Sequence, residues 1–132
     1  MGMAAMLSIG FMAQPALADM ADKAVGNWRT PSGSVIRISK SGGSIVGTIV
    51  SVKDKSRRDS KNPNAKLRGR KLPGVRMFRL KKNGSDAWKG SLYNTQDGKT
   101  YAGHMKVLGA NKVKLSGCVM SILCKNQTWT RK

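Results

Sequence analysis

The chain has 132 residues, of which 25 are Lys or Arg, 6 are Asp or Glu and one is His, so its formal net charge is +19. A chain of this size is expected to form a single small domain. Its acidic residues are all Asp and its single histidine is His104, which leaves no evident pair of groups to act as nucleophile and general base. The sequence therefore predicts a protein that is not an enzyme and whose basic surface attracts anions.

The first 18 residues have the pattern of a signal peptide. An apolar run from Met3 to Ala13 is followed by Ala16, Leu17 and Ala18, the small-x-small pattern that signal peptidase recognises. The run is shorter than the roughly 20 residues that a transmembrane helix needs. We expect cleavage after Ala18, a single mature domain over residues 19–132, and a periplasmic or secreted location. Signal peptides usually begin with basic residues, and none precedes Lys23, so we expect the true start codon to lie upstream.

From Trp28 onward the chain consists of short alternating segments separated by turn residues, without a long helical period. Ile36 and Ile38, for example, alternate with Arg37 and Ser39, as in a strand with one buried face. About eight strands joined mostly by tight turns predict an all-β, up-and-down antiparallel barrel rather than a sandwich. The predicted strands are, in chain order, one opening at Gly26–Trp28, then Ser34–Lys40, Ser44–Val52, Val75–Lys81, Trp88–Leu92, Tyr101–Val107, Val113–Leu115 and Lys125–Arg131.

Tryptophans lie near both ends of this series of strands. Gly26 and Trp28 belong to the first strand, and Trp129 and Arg131 belong to the last. If the sheet closes on itself these strands become neighbours, and Arg131 can stack on Trp28 through a cation-π contact. We therefore expect these four residues to close one end of the barrel. The combination resembles the G-x-W motif and terminal basic residue shared by lipocalins and their relatives.

Cys118 and Cys124 are the two cysteines of the chain, and five residues separate them across the predicted last hairpin. In an oxidising compartment a disulfide between them is the expected state. A thioredoxin-like redox pair would have two intervening residues, and a zinc site would need four ligands, of which His104 alone could be added. The sequence therefore predicts a disulfide, and neither a metal site nor a cofactor.

The segment 53–74 interrupts the tight turns with 22 residues that have no periodicity. Nine basic and two acidic residues lie between positions 53 and 71, a local net charge of +7. The segment is either a flexible solvated loop or an ordered lid, and we favour the lid. Asp59, Asn62 and Pro63 are spaced so that the Asp59 side chain can accept backbone N–H groups of a turn. Arg68 and Arg70 follow, with two guanidiniums that suit an anionic ligand.

Six short motifs span nearly all of the mature chain. They are G-x-W-x-T-P at Gly26–Pro31, D-x-x-N-P at Asp59–Pro63, R-G-R-x-L-x-G at Arg68–Gly74, Y-x-x-x-D-G-K-T-Y at Tyr93–Tyr101, G-C at Gly117–Cys118 and Q-x-W-T-R at Gln127–Arg131. Taken together, these motifs resemble the exported bacterial family known as domain of unknown function 2147. The resemblance implies a periplasmic or secreted lipocalin-like barrel with no established activity.

Two functions are compatible with these features. In the first, which we favour, the barrel mouth binds a small apolar or amphipathic anionic molecule or lipid, whose head group meets Arg68 and Arg70. In the second, the basic loop at residues 53–74 binds lipid phosphates of an anionic membrane surface, lipopolysaccharide or acidic glycans. Nucleic acid is not an expected partner of an exported protein. Tyr93 and Tyr101 are also compatible with core packing. The candidate ligand-binding residues are Asp59, Asn62, Arg68, Arg70, Tyr93, Lys99 and Tyr101.

Overall fold

The structure is a computed structural model that describes residues 21–120 and 123–132. These residues form a closed barrel of eight antiparallel strands in which each strand pairs with the next along the chain and β8 pairs with β1. The predicted all-β barrel is confirmed, and most predicted strand bounds differ from the observed ones by only a few residues. The strands are β1 Gly26–Arg29, β2 Val35–Ser41, β3 Ser44–Ser51, β4 Arg76–Lys82, β5 Ala87–Asn94, β6 Lys99–Gly109, β7 Lys112–Val119 and β8 Leu123–Arg131.

The antiparallel order places alternate connections at opposite ends of the barrel. At one end, called the closed end, lie the start of β1, the end of β8 and the tight turns after β2, β4 and β6. At the other end, called the open end, lie the turn after β1, the long loop between β3 and β4, and the turns after β5 and β7. The predicted signal peptide lies outside the described residues. Within them, no helix is long and apolar enough to cross a membrane.

Alternation along the strands fills the barrel with apolar side chains. Ile36 and Ile38 are buried while Arg37 is exposed, so the predicted inner face of β2 is confirmed. On β3, Gly47 leaves the space that the Phe78 ring occupies, because a Cβ atom there would overlap the ring. The buried aromatic residues of the described chain are Trp28, Phe78, Trp88 and Trp129, whereas Tyr93 and Tyr101 are only partly buried against the core.

The closed end is sealed by Trp28 and Arg131 as predicted. The Arg131 guanidinium carbon lies 4.2 Å from the centroid of the Trp28 ring. Its nitrogens donate to the carbonyls of Ala110 at 2.8 Å and Val25 at 2.9 Å. Gly26 has a φ of 134°, and a side chain there would collide with the guanidinium, which explains why a glycine precedes the tryptophan. Residues 21–24, which are helical, cover this end.

The predicted disulfide is also confirmed. Cys118 on β7 lies directly opposite Cys124 on β8, and their sulfur atoms are bonded. The bond joins the two strands at the open end, next to the turn that contains Met120. It therefore fastens the two strands beside their turn, which lies on the rim of the barrel.

Candidate functional site: the open end of the barrel

The interior of the barrel is accessible beside β8 at the open end. Lys125 pairs with Gly117, and a Cβ atom on Gly117 would meet the Leu92 side chain of the core, so this pair faces inward. Gln127 lies two residues further along the same inner face. Both Lys125 and Gln127 are exposed, whereas Trp129, the next inward residue, is fully buried. The barrel is thus packed with apolar groups at its closed end and has a polar, solvent-accessible opening at the other.

A cleft of about 390 Å³ adjoins this opening on the rim. Its apolar part comes from the β7–β8 hairpin, where Met120 is 83% exposed and Val119 is 45% exposed. Lys99 supplies a positive charge at the start of β6. We call the set of Lys99, Tyr101, Val119, Met120, Lys125 and Gln127 the mouth. Thr100, Ala102 and Cys118 also line the cleft, whereas Lys125 and Gln127 belong to the adjoining opening.

Tyr101 is held in the mouth by the turn after β5. Its hydroxyl donates to the Asp97 carboxylate, and the Lys99 backbone N–H donates to the same carboxylate at 2.9 Å. Burial opposes ionisation of Asp97, but the bonds from Tyr101 and Lys99 outweigh it and hold the Asp97 pKa below its usual value. The hydrogen bond to Asp97 raises the pKa of Tyr101. The neutral Tyr101 ring is therefore fixed with its hydroxyl engaged, leaving the ring to make apolar contacts.

The loop between β3 and β4 is ordered around Asp59. This carboxylate is completely buried and accepts hydrogen bonds from three side chains: Asn62 Nδ2 at 2.8 Å, Arg70 Nε at 2.8 Å and the Tyr93 hydroxyl at 2.6 Å. The expectation that the Asp59 side chain accepts backbone N–H groups is wrong in this respect. The Asn62 N–H instead donates to the backbone carbonyl of Asp59, at 3.1 Å, and the side chain is left to join distant segments.

Electrostatics keep this cluster ionised at Asp59 and neutral at Tyr93. Burial disfavours the Asp59 carboxylate, but the bonds from Tyr93, Asn62 and Arg70 outweigh burial and lower the Asp59 pKa. Burial and the adjacent carboxylate raise the pKa of Tyr93 to about 12. Leu92 faces inward, so Tyr93 lies on the opposite face of β5. The cluster therefore fastens the loop to the rim of the barrel.

Arg68 and Arg70 both use their Nε atoms inside the loop. Arg70 bonds to Asp59, and Arg68 donates to the Asn62 carbonyl at 2.7 Å. A 3₁₀ turn, Ala65–Leu67, directly precedes them and is capped by Asn64. The loop also contacts the turn after β5, where a side chain on Gly98 would collide with the Lys61 carbonyl. The predicted order in this segment is present, and its role as a lid remains a prediction.

A second cleft, of about 630 Å³, lies between this loop and the turn after β5. Its charged residues are all cations: Arg57, Arg58 and Lys61. Arg57 Nη2 donates to the Thr95 hydroxyl at 3.5 Å across the cleft. The other lining residues are Ser56, Ser60 and Gln96.

The predicted ligand-binding residues therefore occupy two places at the open end. Asp59, Asn62, Arg70 and Tyr93 form the cluster that fastens the loop, and Arg68 lies beside it, whereas Lys99 and Tyr101 belong to the mouth. Sequence reasoning missed Lys125, Gln127, Val119 and Met120. A signal for the last two was present, because the segment between the cysteines is mostly apolar where a hairpin turn is usually polar.

Within residues 21–120 and 123–132, no three His, Cys, Asp or Glu residues are grouped closely enough to hold a metal ion. The described part of the chain thus offers cations, hydroxyls and apolar groups at its open end. This chemistry suits recognition of an organic anion.

A closed eight-stranded antiparallel barrel, plugged at one end by a tryptophan under a terminal arginine and accessible at the other, is a lipocalin-like architecture. The family model described as "Uncharacterized protein conserved in bacteria (DUF2147)" matches residues 26–131, and the chain belongs to that family. It is similar to a solved structure titled "Protein HP1028 from the human pathogen Helicobacter pylori belongs to the lipocalin family". The two share 28% identity with a TM-score of 0.74, over 83% of this chain and 82% of the other. No curated protein matches the chain.

Proposed function

We propose that the protein is an exported, non-catalytic binding protein that holds a small anionic amphiphile in the mouth. The single observation that carries this proposal is the inward-facing, exposed Lys125 at the opening of a barrel whose closed end is packed with apolar groups. A lipocalin-like fold is suited to binding a small molecule, because a barrel of eight strands is wide enough to hold one small ligand. The Cys118–Cys124 disulfide supports an oxidising location such as the periplasm.

The mouth is chemically divided in the way that an amphiphile requires. Lys99 and Lys125 supply positive charge for a carboxylate, sulfate or phosphate head group, and charge-assisted hydrogen bonds are the stronger kind. Tyr101, Val119 and Met120 supply the apolar surface for a short tail. The 390 Å³ cleft lies near the lower end of the range for small-molecule sites, so the ligand should be small.

Binding of laurate and of its uncharged alcohol tests this proposal by isothermal titration. Methionine has a chain of similar length to lysine but carries no charge. Lys125→Met and Lys99→Met should therefore each weaken laurate binding by about tenfold, equivalent to about 1.4 kcal/mol. Binding of the alcohol should change little. The control is Lys82→Met, because Lys82 is exposed at the closed end of β4.

Equal loss of both probes in the mouth variants, or equal loss of laurate in Lys82→Met, would contradict the proposal. In a separate experiment, native mass spectrometry of wild-type protein purified from its own cell envelope would identify any molecule that the protein retains. A retained anionic amphiphile is the expected result.

A second candidate function is binding of lipid phosphate or lipopolysaccharide through the basic loop. The observation in its favour is the second cleft, whose charged lining residues are Arg57, Arg58 and Lys61. Arg57→Gln should then weaken binding to anionic vesicles while leaving laurate binding unchanged. Unchanged vesicle binding in Arg57→Gln, together with weaker laurate binding in Lys125→Met, would favour the mouth.

A further inference from the structure

One half of the barrel wall carries a continuous line of basic side chains on its outer face. These residues are exposed and belong to β4, β5, β6 and β7. We call them the basic stripe. Its members, in spatial order, are Arg79, Lys81, Lys89, His104, Lys106, Lys114 and Lys112.

The strand register makes the stripe a diagonal. Lys81 pairs with Lys89, and Lys89 pairs with His104. The line then moves two residues along β6 to Lys106, which pairs with Lys114. Neighbouring strands are about 5 Å apart and alternate residues about 7 Å apart, so the whole stripe extends over about 25 Å.

Like charges lie close together within the stripe. Lys81 lies directly opposite Lys89, and Lys106 directly opposite Lys114, and like charges in such positions destabilise a sheet. Within the described residues, the ion pairs are Lys40–Asp22 and Arg70–Asp59, and neither includes a stripe residue. The positive charge of the stripe is therefore not offset by these ion pairs and is available to an external anion.

The opposite wall shows that the stripe is more than a consequence of a basic composition. On the outward-facing positions of β8, β1, β2 and β3, the charged residues are Arg29 and Arg37. The other outward positions there hold Asn, Ser, Thr, Val and Cys124. Positive charge is thus concentrated on one wall.

We propose that the basic stripe binds a linear acidic polysaccharide. A narrow diagonal matches a chain of regularly spaced anions better than the plane of a membrane. Small neutral residues, Ser91, Ala102 and Ser116, border the stripe and let such a chain lie close to the sheet. Single-stranded nucleic acid would require exposed aromatic surfaces for base stacking. Trp and Phe side chains of the described residues are buried, and the two tyrosines bond to Asp59 and Asp97.

Two matched variants of the mature protein test the proposal. The stripe variant combines Lys81→Gln, Lys89→Gln, Lys106→Gln and Lys114→Gln. The loop control combines Lys53→Gln, Lys55→Gln, Lys66→Gln and Lys71→Gln, all at exposed positions. Both remove the same amount of charge. The probes are a heparin oligosaccharide, polygalacturonate and a single-stranded DNA of equal charge, titrated at several NaCl concentrations.

The stripe variant should bind both polysaccharides at least tenfold more weakly, while the loop control stays within threefold of wild type. The slope of log K against log [NaCl] should fall by up to about 3 in the stripe variant, at about 0.7 for each lost contact. Equal losses in the two variants would overturn the proposal, as would tighter binding of the DNA than of either polysaccharide. Near-ultraviolet circular dichroism confirms that both variants fold, and laurate binding reports separately on the mouth.

Discussion

Met120 has a φ of 56°, a left-handed backbone conformation that disfavours a side chain with a Cβ atom. Its side chain is nevertheless large, apolar and 83% exposed. Such a residue contributes neither to turn stability nor to the core. Its position is explained if the exposed side chain contacts a ligand in the mouth.

Met120→Asn should therefore have opposite effects on stability and binding. Asparagine tolerates the left-handed conformation, so the free energy of unfolding should rise by about 0.5 kcal/mol. Laurate binding should weaken by about threefold, because apolar contact is lost. Urea unfolding and titration calorimetry measure the two quantities. Val50→Asn, at an exposed position on β3, is the control and should leave binding unchanged.

The free energy of unfolding should depend on pH through Asp59, because the pKa of this residue is lower in the folded protein than its usual value. Asp59→Asn should destabilise the domain by about 2 kcal/mol at neutral pH, because the Arg70 guanidinium and the Tyr93 hydroxyl lose a charged acceptor. A lowered pKa contributes stability that is complete above the unfolded value of about 3.9 and is lost as the pH falls through the folded value. The difference between wild type and variant should therefore be constant from about pH 5 to 7 and shrink below about pH 4.

Asp54→Asn is the matched control, because Asp54 lies on the same loop but is exposed. Its carboxylate accepts hydrogen bonds from the neighbouring Ser56, so the substitution should change the free energy of unfolding much less than Asp59→Asn does. A wild-type advantage over Asp59→Asn that persists undiminished at pH 2 would show that the Asp59 charge is not the source of the stability.

At the scale of the strands, Arg131 on β8 connects the last strand to the chain before β1. It stacks on Trp28 and donates to carbonyls of Val25 and Ala110, from two different segments. Such a multidentate arrangement depends on the planar guanidinium. The barrel is thus joined at its seam by one side chain in addition to the short pairing of β1 with β8.

Arg131→Lys should cost about 2 kcal/mol in unfolding free energy even though it preserves charge, because a lysine cannot make the stack and both hydrogen bonds together. Arg29→Lys, on the neighbouring strand and exposed, should be nearly neutral. Urea midpoints of the two variants decide the matter. Equal midpoints would mean that the seam does not rely on the guanidinium.

The strands that sequence could predict are those with one apolar and one polar face. Ile36 and Ile38 on β2, and Met105 and Val107 on β6, reveal their buried faces by simple alternation. The inner face of β8 could not be recognised in this way, because Lys125 and Gln127 are as polar as their outward neighbours. Their direction follows only from the register with β7.

The candidate site was predictable where its residues are close together in the sequence. The proximity of Cys118 and Cys124 was evident from their spacing on one hairpin. Asp59, however, meets Tyr93 across 34 residues, a separation with no local pattern to reveal it. The stripe was likewise hidden, because its members become neighbours only when β4 to β7 pair.

At the scale of the whole molecule, the net charge of +19 resides on a domain with few carboxylates. Self-repulsion of this kind lowers the stability of the compact state and is screened by salt. The Lys106–Lys114 pair concentrates the effect in one place, since the two residues face each other across strands.

Lys106→Gln should therefore raise the free energy of unfolding by about 0.5 kcal/mol at about 0.02 M NaCl, the expected size of a repulsive cross-strand pair. The gain should vanish near 0.5 M NaCl, where the Debye length falls to about 4 Å and the wild-type repulsion is screened. Lys53→Gln, on the loop, removes the same charge without a facing lysine and should gain less at low salt. Urea unfolding followed by tryptophan fluorescence measures all three proteins. A gain independent of salt, or equal in the two variants, would show that the facing lysines do not repel each other, and would remove the electrostatic argument for an external anion at the stripe.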